Sequence, residues 1–355
     1  MRARVAASMP VRVLWPTVST KLGLEGTRVR SVRSTPLGRE VILSLRPPAT
    51  VQRLQQASEA LAVAFAAARV RVVPFELRAD RVALFVDYRI GLPAIELPSS
   101  VDPLGIPRDP RRPFAIGVDD DGHTVEAAFF GRHVLIGGSP GSGKSNALRV
   151  FLASLAASRN VRVYGVDPKH AELAMWAGRM NGLVLGNEAG PTIALLQGLL
   201  DEVQRRAAML AQTGRSHVEI SHSSPWIVLV VDEWAELAAE GDAKERAQAA
   251  TLLRRFVALG RAVGCTAILC TQRPTSDTVD TGTRALLSDR FALRCGDRHQ
   301  AEAILGLGTF HPTDLGRSAP GRALWSDGGP ARAFSFYEVP DERIPDLVCA
   351  GYRDL

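Results

Sequence analysis

Gly138-Ser139-Pro140-Gly141-Ser142-Gly143-Lys144-Ser145 has the residue types and spacing of a phosphate cradle, G-x-x-x-x-G-K-[ST]. The apolar run His133-Val134-Leu135-Ile136-Gly137 precedes it and a helical pattern, Asn146 to Leu152, follows, so the order is strand, loop, helix. Gly138, Gly141 and Gly143 let the backbone turn its N–H groups inward without side-chain clashes. Those groups and the helix N-terminus make a nest for phosphate oxygens. Lys144 would reach the β- and γ-phosphates of ATP, and the Ser145 hydroxyl would coordinate Mg²⁺. The bland reading, a Gly/Ser-rich loop with a chance lysine, leaves the flanking strand and helix unexplained.

Two further strand ends carry candidate chemistry. Trp226-Ile227-Val228-Leu229-Val230-Val231 reads as a buried parallel strand that runs into Asp232-Glu233. Ligands of such sheets bind at the carboxyl ends of the strands. Asp232 would hold the Mg²⁺ shell, directly or through water, and Glu233 would polarise the attacking water as general base. The competing reading is a helix N-cap made by surface acids. The strand Ala267–Cys270 leads into Thr271-Gln272-Arg273-Pro274, where a glutamine facing a γ-phosphate can position the lytic water or report hydrolysis. By itself Gln272 could equally be an amide that satisfies its own loop.

The elements that must position these residues alternate strand and helix, the signature of a parallel sheet covered on both faces. The predicted strands are Val134–Gly137, Val161–Asp167, Ile227–Asp232, Ala267–Thr271 and Phe291–Arg294. Helices are expected at Asn146–Ser158, Thr192–Gln212 and Ala247–Gly264. Ahead of them, strands at Val29–Arg33, Glu40–Leu45, Val70–Pro74 and Val82–Tyr88, with a helix over Val51–Ala68, make a small β-β-α-β-β module. The fold expected is thus α/β, a P-loop NTPase with a parallel central sheet preceded by a small α+β domain. The boundaries read as a poorly ordered basic arm (1–23), the α+β domain (24–92) and a Pro-rich linker (93–113). The ATPase domain (114–340) and a C-terminal tail (341–355) follow.

Composition narrows the partners. The net charge of +6 is concentrated in residues 1–50, where nine Arg/Lys meet two acids, Glu25 and Glu40. Such a front end suits a polyanion, and a solvated basic surface would look the same. Only four of the 43 basic residues are lysines, a bias that genome base composition explains better than function. Cys265, Cys270, Cys295 and Cys349 show neither C-x-x-C pairing nor histidines at metal-ligand spacing, which fits reduced thiols and a cytoplasmic setting. No apolar run reaches membrane-spanning length, and Pro10 and Pro16 break any signal-peptide core.

With these residues in place the chain resembles the FtsK/SpoIIIE family of DNA-translocating ATPases. The matching segments are His133–Ser145, the D-P-K-x-x-E-L run Asp167 to Leu173, Pro225–Leu237, and Arg261-Ala262-Val263-Gly264 through Thr271-Gln272-Arg273-Pro274. Residues 24–90 also resemble the α/β domain that precedes the motor in that family. The resemblance implies a RecA-like sheet in which the Gln272 strand lies between the P-loop and Walker B strands. It implies double-stranded DNA as partner, gripped mainly by its backbone, and a ring, usually a hexamer, with ATP at subunit boundaries. An arginine acting in trans would be Arg261 first, or Arg290 second. Asp167 and Lys169 are implied to lie near the site, as structural or coupling residues. The basic arm and the loop from Arg273 to Arg284 are candidates for DNA contact. Members that segregate chromosomes carry membrane spans and a C-terminal winged-helix module. The chain is expected to lack both, like the transfer or mobilisation ATPases of plasmids and integrative elements. Whether a membrane-anchored partner holds the ring stays open. Two rival readings remain: a type VII-like protein secretion ATPase, and an ATP-binding regulatory or replication-accessory protein that does not translocate.

Overall fold

The structure, a computed structural model, describes residues 11–75, 78–88, 95–97, 109–237, 241–272, 281–306 and 320–350. The first ten residues of the basic arm, residues 98–108 of the Pro-rich stretch, and Arg273-Pro274 lie outside the described residues. The chain divides into a smaller unit, Met1–Pro93 with Asp119–His123, and a larger one, Ala94–Val118 with Thr124–Leu355.

The smaller unit is built on a four-stranded antiparallel sheet of order β1-β2-β4-β3. Its strands are β1 (Thr27–Ser34), β2 (Gly38–Leu45), β3 (Arg69–Phe75) and β4 (Arg78–Asp87). Val41, Leu43 and Leu45 on β2, and Val82, Leu84 and Val86 on β4, stand at every second position and so face one side of the sheet. All six are buried in one cluster. The helix expected over Val51–Ala68 is two, α2 (Val51–Gln56) and α3 (Ser58–Phe65), separated at Ala57. The arm expected at 1–23 is corrected over its described part. Val11–Lys21 is a helix, α1, whose Val11, Trp15 and Val18 are buried. Trp15 donates its indole N–H to Thr27 Oγ1 at 3.1 Å and stacks on Phe65. The spacing 11, 15, 18 is helical, but Pro16 inside it disguised the pattern.

In the larger unit six parallel strands run in the order β10-β9-β11-β12-β8-β13. They are β8 (Val134–Gly137), β9 (Val161–Asp167), β10 (Gly182–Leu185), β11 (Trp226–Val231), β12 (Cys265–Thr271) and β13 (Asp289–Leu293). Antiparallel β14 (Arg322–Ser326) and β15 (Arg332–Glu338) extend the sheet beyond β13, followed by the hairpin β6 (Phe114–Asp119) and β7 (Thr124–Ala127). The two-residue strand β5 (Ile95–Glu96) pairs with β15. The expected parallel sheet is therefore the centre of a larger mixed one.

Every residue of β11 is buried. Trp226, Val228 and Val230 join a core with the P-loop helix α4 (Lys144–Ala156), while Ile227, Leu229 and Val231 join a second core with α5 (Ala189–Thr213) and α6 (Ala243–Gly260). The period of two thus feeds both faces of the sheet. The segment expected as a tail from residue 341 is also corrected. Ile344–Ala350 forms a helix, α7, whose Ile344 and Leu347 are buried in the first core. Among the described residues no helix is long and apolar enough to cross a membrane.

His133, just before β8, is 2% exposed, and its Nδ1 accepts the Ala267 N–H at 2.9 Å. A bare Nδ1 requires the neutral ring. Burial pushes its pKa from 6.5 down to about 4, and the charge of Arg261 adds to the shift. The unfolded chain takes up this proton below its ordinary pKa, so the stabilisation is full above that pH and is lost as pH falls towards the folded value. The loss should reach about 3 kcal/mol. Denaturant unfolding at neutral pH and near the folded pKa checks this. His133→Asn, whose amide oxygen can accept the same N–H, should lose less over that range. Equal losses in both proteins would clear His133 of the effect.

Candidate nucleotide site

Strands β11, β12 and β8 are adjacent and parallel, so their carboxyl ends open on one edge of the sheet. That edge gathers the Gly138–Ser145 loop after β8, Asp232-Glu233 after β11 and Gln272 after β12. The Gln272 strand does lie between the other two, as the resemblance implied.

The loop is held by backbone bonds from three neighbours. Gly138 N–H donates to Thr271 O at 3.2 Å, Ser139 N–H to Arg294 O at 2.8 Å, and Gly321 N–H to Ser142 O at 2.8 Å. Gly141 and Gly143 take positive φ, +69° and +95°. A Cβ on Gly143 would stand 2.3 Å from Gly321 N, so strain and contact both demand glycine there. Gly143 is also the N-cap of α4 and offers no side chain to its first N–H groups. Among the described residues Ser142 Oγ is buried without a partner. An uncapped helix start beside an unsatisfied hydroxyl and a buried lysine is suited to a phosphate chain. Pro140 is exposed at the loop tip, where its carbonyl accepts from Arg294 Nη2 at 3.3 Å.

Lys144 and Asp232 form a short, buried ion pair, with side chains 5% and 7% exposed. Burial opposes the lysine's charge, but Asp232 and Glu233 outweigh it and raise its pKa. Ser145 is exposed beside this pair, so a hydroxyl and a carboxylate are available for a divalent cation.

Glu233 is 1% exposed and adopts φ +71°, a left-handed backbone at a non-glycine residue. Both its carboxylate oxygens accept the Gln272 N–H, at 2.9 and 3.0 Å, and Oε1 also accepts the Thr271 hydroxyl at 3.2 Å. Gln272 therefore meets Glu233 through its backbone, a link that no side-chain motif announces.

The D-P-K-x-x-E-L loop follows β9, the next parallel neighbour of β11. Asp167 folds the loop by accepting the N–H groups of Lys169 at 3.1 Å and Leu173 at 3.0 Å. Lys169 Nζ lies 3.7 Å from Glu233 Oε2 and 3.5 Å from Glu236 Oε1. Glu172 accepts from Arg149 of α4 at 2.6 and 3.3 Å, and Arg149 also donates to Val339 O at 3.1 Å and to Asp341. Burial lifts the Glu172 carboxyl above its ordinary range against the opposing pull of Arg149. One loop thus connects the P-loop helix, the second Walker B acid and the chain after β15. Arg149 and Asn146, which bonds Tyr337 O and Val339 N, were missed in the sequence because their partners lie about 190 residues away.

The two candidate trans arginines are not at this edge in the same way. Arg261 is exposed on the turn before β12, whose seven residues separate it from Gln272 by roughly 20 Å. Arg290 is half-buried and spends its guanidinium on the carbonyls of Leu287 and Arg284, at 2.8 and 2.9 Å. Burial, with Arg284 adding to it, lowers its pKa.

Comparison with known proteins agrees with this geometry. A sequence model of the FtsK/SpoIIIE family matches residues 108–224. Proteins named DNA translocase FtsK are similar over much of the chain. That of Borreliella burgdorferi is 25% identical over 272 residues, 72% of this chain and 34% of its own length. That of Listeria monocytogenes is 27% identical over 281 residues, 68% of this chain and 36% of its own. The chain thus spans about a third of the length of the curated relatives it matches. Among solved structures, the pCW3 conjugation coupling protein TcpA, in a monomer form with ATPgS, covers 95% of this chain and 98% of its own (TM-score 0.66, 17% identity). The cytoplasmic domain of the Thermomonospora curvata type VII secretion ATPase EccC covers 72% of this chain and 32% of its own (TM-score 0.56, 23% identity). The fold is that of a P-loop ATPase, and residues 108–224 match the FtsK/SpoIIIE family model.

Proposed function

We propose that this chain hydrolyses ATP to move double-stranded DNA, working in a ring with nucleotide at the subunit boundaries. The observation that carries the reading is the convergence of Lys144, Asp232, Glu233 and the Gln272 backbone on one sheet edge, in a chain similar to named DNA translocases. TcpA, a conjugation coupling protein similar over nearly the whole chain, supports a role in the transfer of plasmid or mobile-element DNA.

In this mechanism the N–H groups of the Gly138–Ser145 loop and the start of α4 receive the phosphates. Lys144 leaves Asp232 for the β- and γ-phosphates. Ser145 and the freed Asp232 are the residues that would hold Mg²⁺, whose chemistry when bound is to offset phosphate charge. A water oxygen attacks the γ-phosphorus, the bond to the β–γ bridging oxygen breaks, and ADP departs with that oxygen. Glu233 accepts the proton the water loses. Gln272, bonded to Glu233 through its N–H, orients the water or senses its consumption. Arg261 of a neighbouring subunit stabilises the transition-state charge. It is preferred to Arg290 because it is exposed and Arg290 is occupied within its own chain. Contacts to DNA phosphates would be blind to sequence and weakened by salt.

The likeness to EccC favours one alternative, a motor that moves protein. Three measurements decide. Lys144→Ala should abolish ATP turnover, and turnover at the wild-type rate in that variant would sink the nucleotide assignment. Linear duplex DNA should stimulate hydrolysis severalfold at low salt and less at high salt; identical rates with and without DNA would favour the protein motor or a regulatory ATPase. Arg261→Ala subunits mixed with Glu233→Ala subunits should partly recover activity. No recovery at any ratio would remove Arg261 from the boundary.

A further inference from the structure

Asp232, Glu233 and Glu236 set three carboxylates within five residues, and two ammonium groups face them. Lys144 pairs with Asp232. Lys169 stands between the other two, 3.7 Å from Glu233 Oε2 and 3.5 Å from Glu236 Oε1. Its loop is braced: Asp167 accepts its backbone N–H, and Glu172 three residues on is anchored to Arg149. The ammonium is therefore delivered from a fixed mount on a neighbouring strand.

Glu233 needs such support. Its left-handed φ of +71° is a backbone state that L residues rarely adopt and that persists only when its surroundings hold it. The Gln272 N–H and the Thr271 hydroxyl hold Glu233 from β12, and Lys169 does so from the β9 side. Residue usage points the same way. The chain has 43 basic residues and four lysines, hence 39 arginines, yet two of the four lysines face this acid cluster. A compact ammonium can be shared between two carboxylates, whereas an arginine fork tends to commit to one.

We propose that Lys169 is a positioning residue for the reaction. By dividing its charge between Glu233 and Glu236, it holds the Glu233 carboxylate in line for the attacking water once Lys144 has turned to the phosphates. The proposal rests on the reading of Glu233 as general base.

The test combines steady-state ATPase rates with fluorescent-nucleotide titration and melting temperatures on the full chain. Wild type should hydrolyse ATP, and Glu233→Gln should bind nucleotide without turning it over. If either fails, the general-base reading falls and this proposal with it, before any Lys169 variant is measured. Given both, Lys169→Met should lower kcat by about 10- to 100-fold while nucleotide affinity and melting temperature stay near wild type. Lys169→Arg, which keeps the charge but tends to commit to one carboxylate, should recover part of that loss. Wild-type kcat in Lys169→Met overturns the proposal. So does a loss of kcat that tracks lost affinity or melting temperature and is not recovered by arginine, since that marks a residue that only holds the fold.

Discussion

A buried carboxylate must be paired, and at the end of β11 this requirement governs the surroundings. Asp232 and Glu233 follow a strand with no exposed residue, so water cannot solvate them as it would surface acids. Removing one partner of such a pair leaves an uncompensated charge, at a cost of roughly 3–5 kcal/mol. The phosphate-binding lysine is the partner of one acid, while a backbone N–H, a hydroxyl and a second lysine surround the other. The groups that stabilise the empty site are thus the groups a nucleotide would recruit. Binding is then an exchange of anions around Lys144, with phosphate replacing carboxylate.

The sheet supplies the precision for that exchange. Three parallel neighbours end at one edge, and strands about 4.8 Å apart bring Asp232 within a side chain's reach of Lys144. Cores on both faces fix those strands against sliding, with Phe114, Phe129 and Phe151 in edge-to-face contact on the α4 side. Val228 and Val230 feed one core and Leu229 and Val231 the other, so a register shift of one residue would exchange both sets.

Much of this was legible in the sequence because the information is local. The P-loop spacing, the apolar run ending in Asp232-Glu233 and the 3.6-residue period of α5 are each contained in a short window. Helix α1 was hidden by a proline inside a helical spacing. Strand β10 is four residues long and partly exposed, leaving little pattern to read. The D-P-K-x-x-E-L run stood out as a motif, but its partners, Arg149, Glu233 and Glu236, come from other elements and could not be paired without the fold. The Gln272–Glu233 bond uses a backbone N–H, which every residue but proline possesses, so residue type gives no hint of it.

The contact between Gly143 and Gly321 sets a schedule for synthesis. The Ser142 carbonyl accepts the Gly321 N–H, Asn146 donates to Tyr337 O and accepts the Val339 N–H, and Arg149 donates to Val339 O. The cradle is therefore made first but closed only by the end of β15, some 195 residues later in the chain. At about 5–20 residues per second, a ribosome needs on the order of 10–40 s to supply that closure. During that interval the nascent chain carries the whole phosphate-binding motif without the strands that support it.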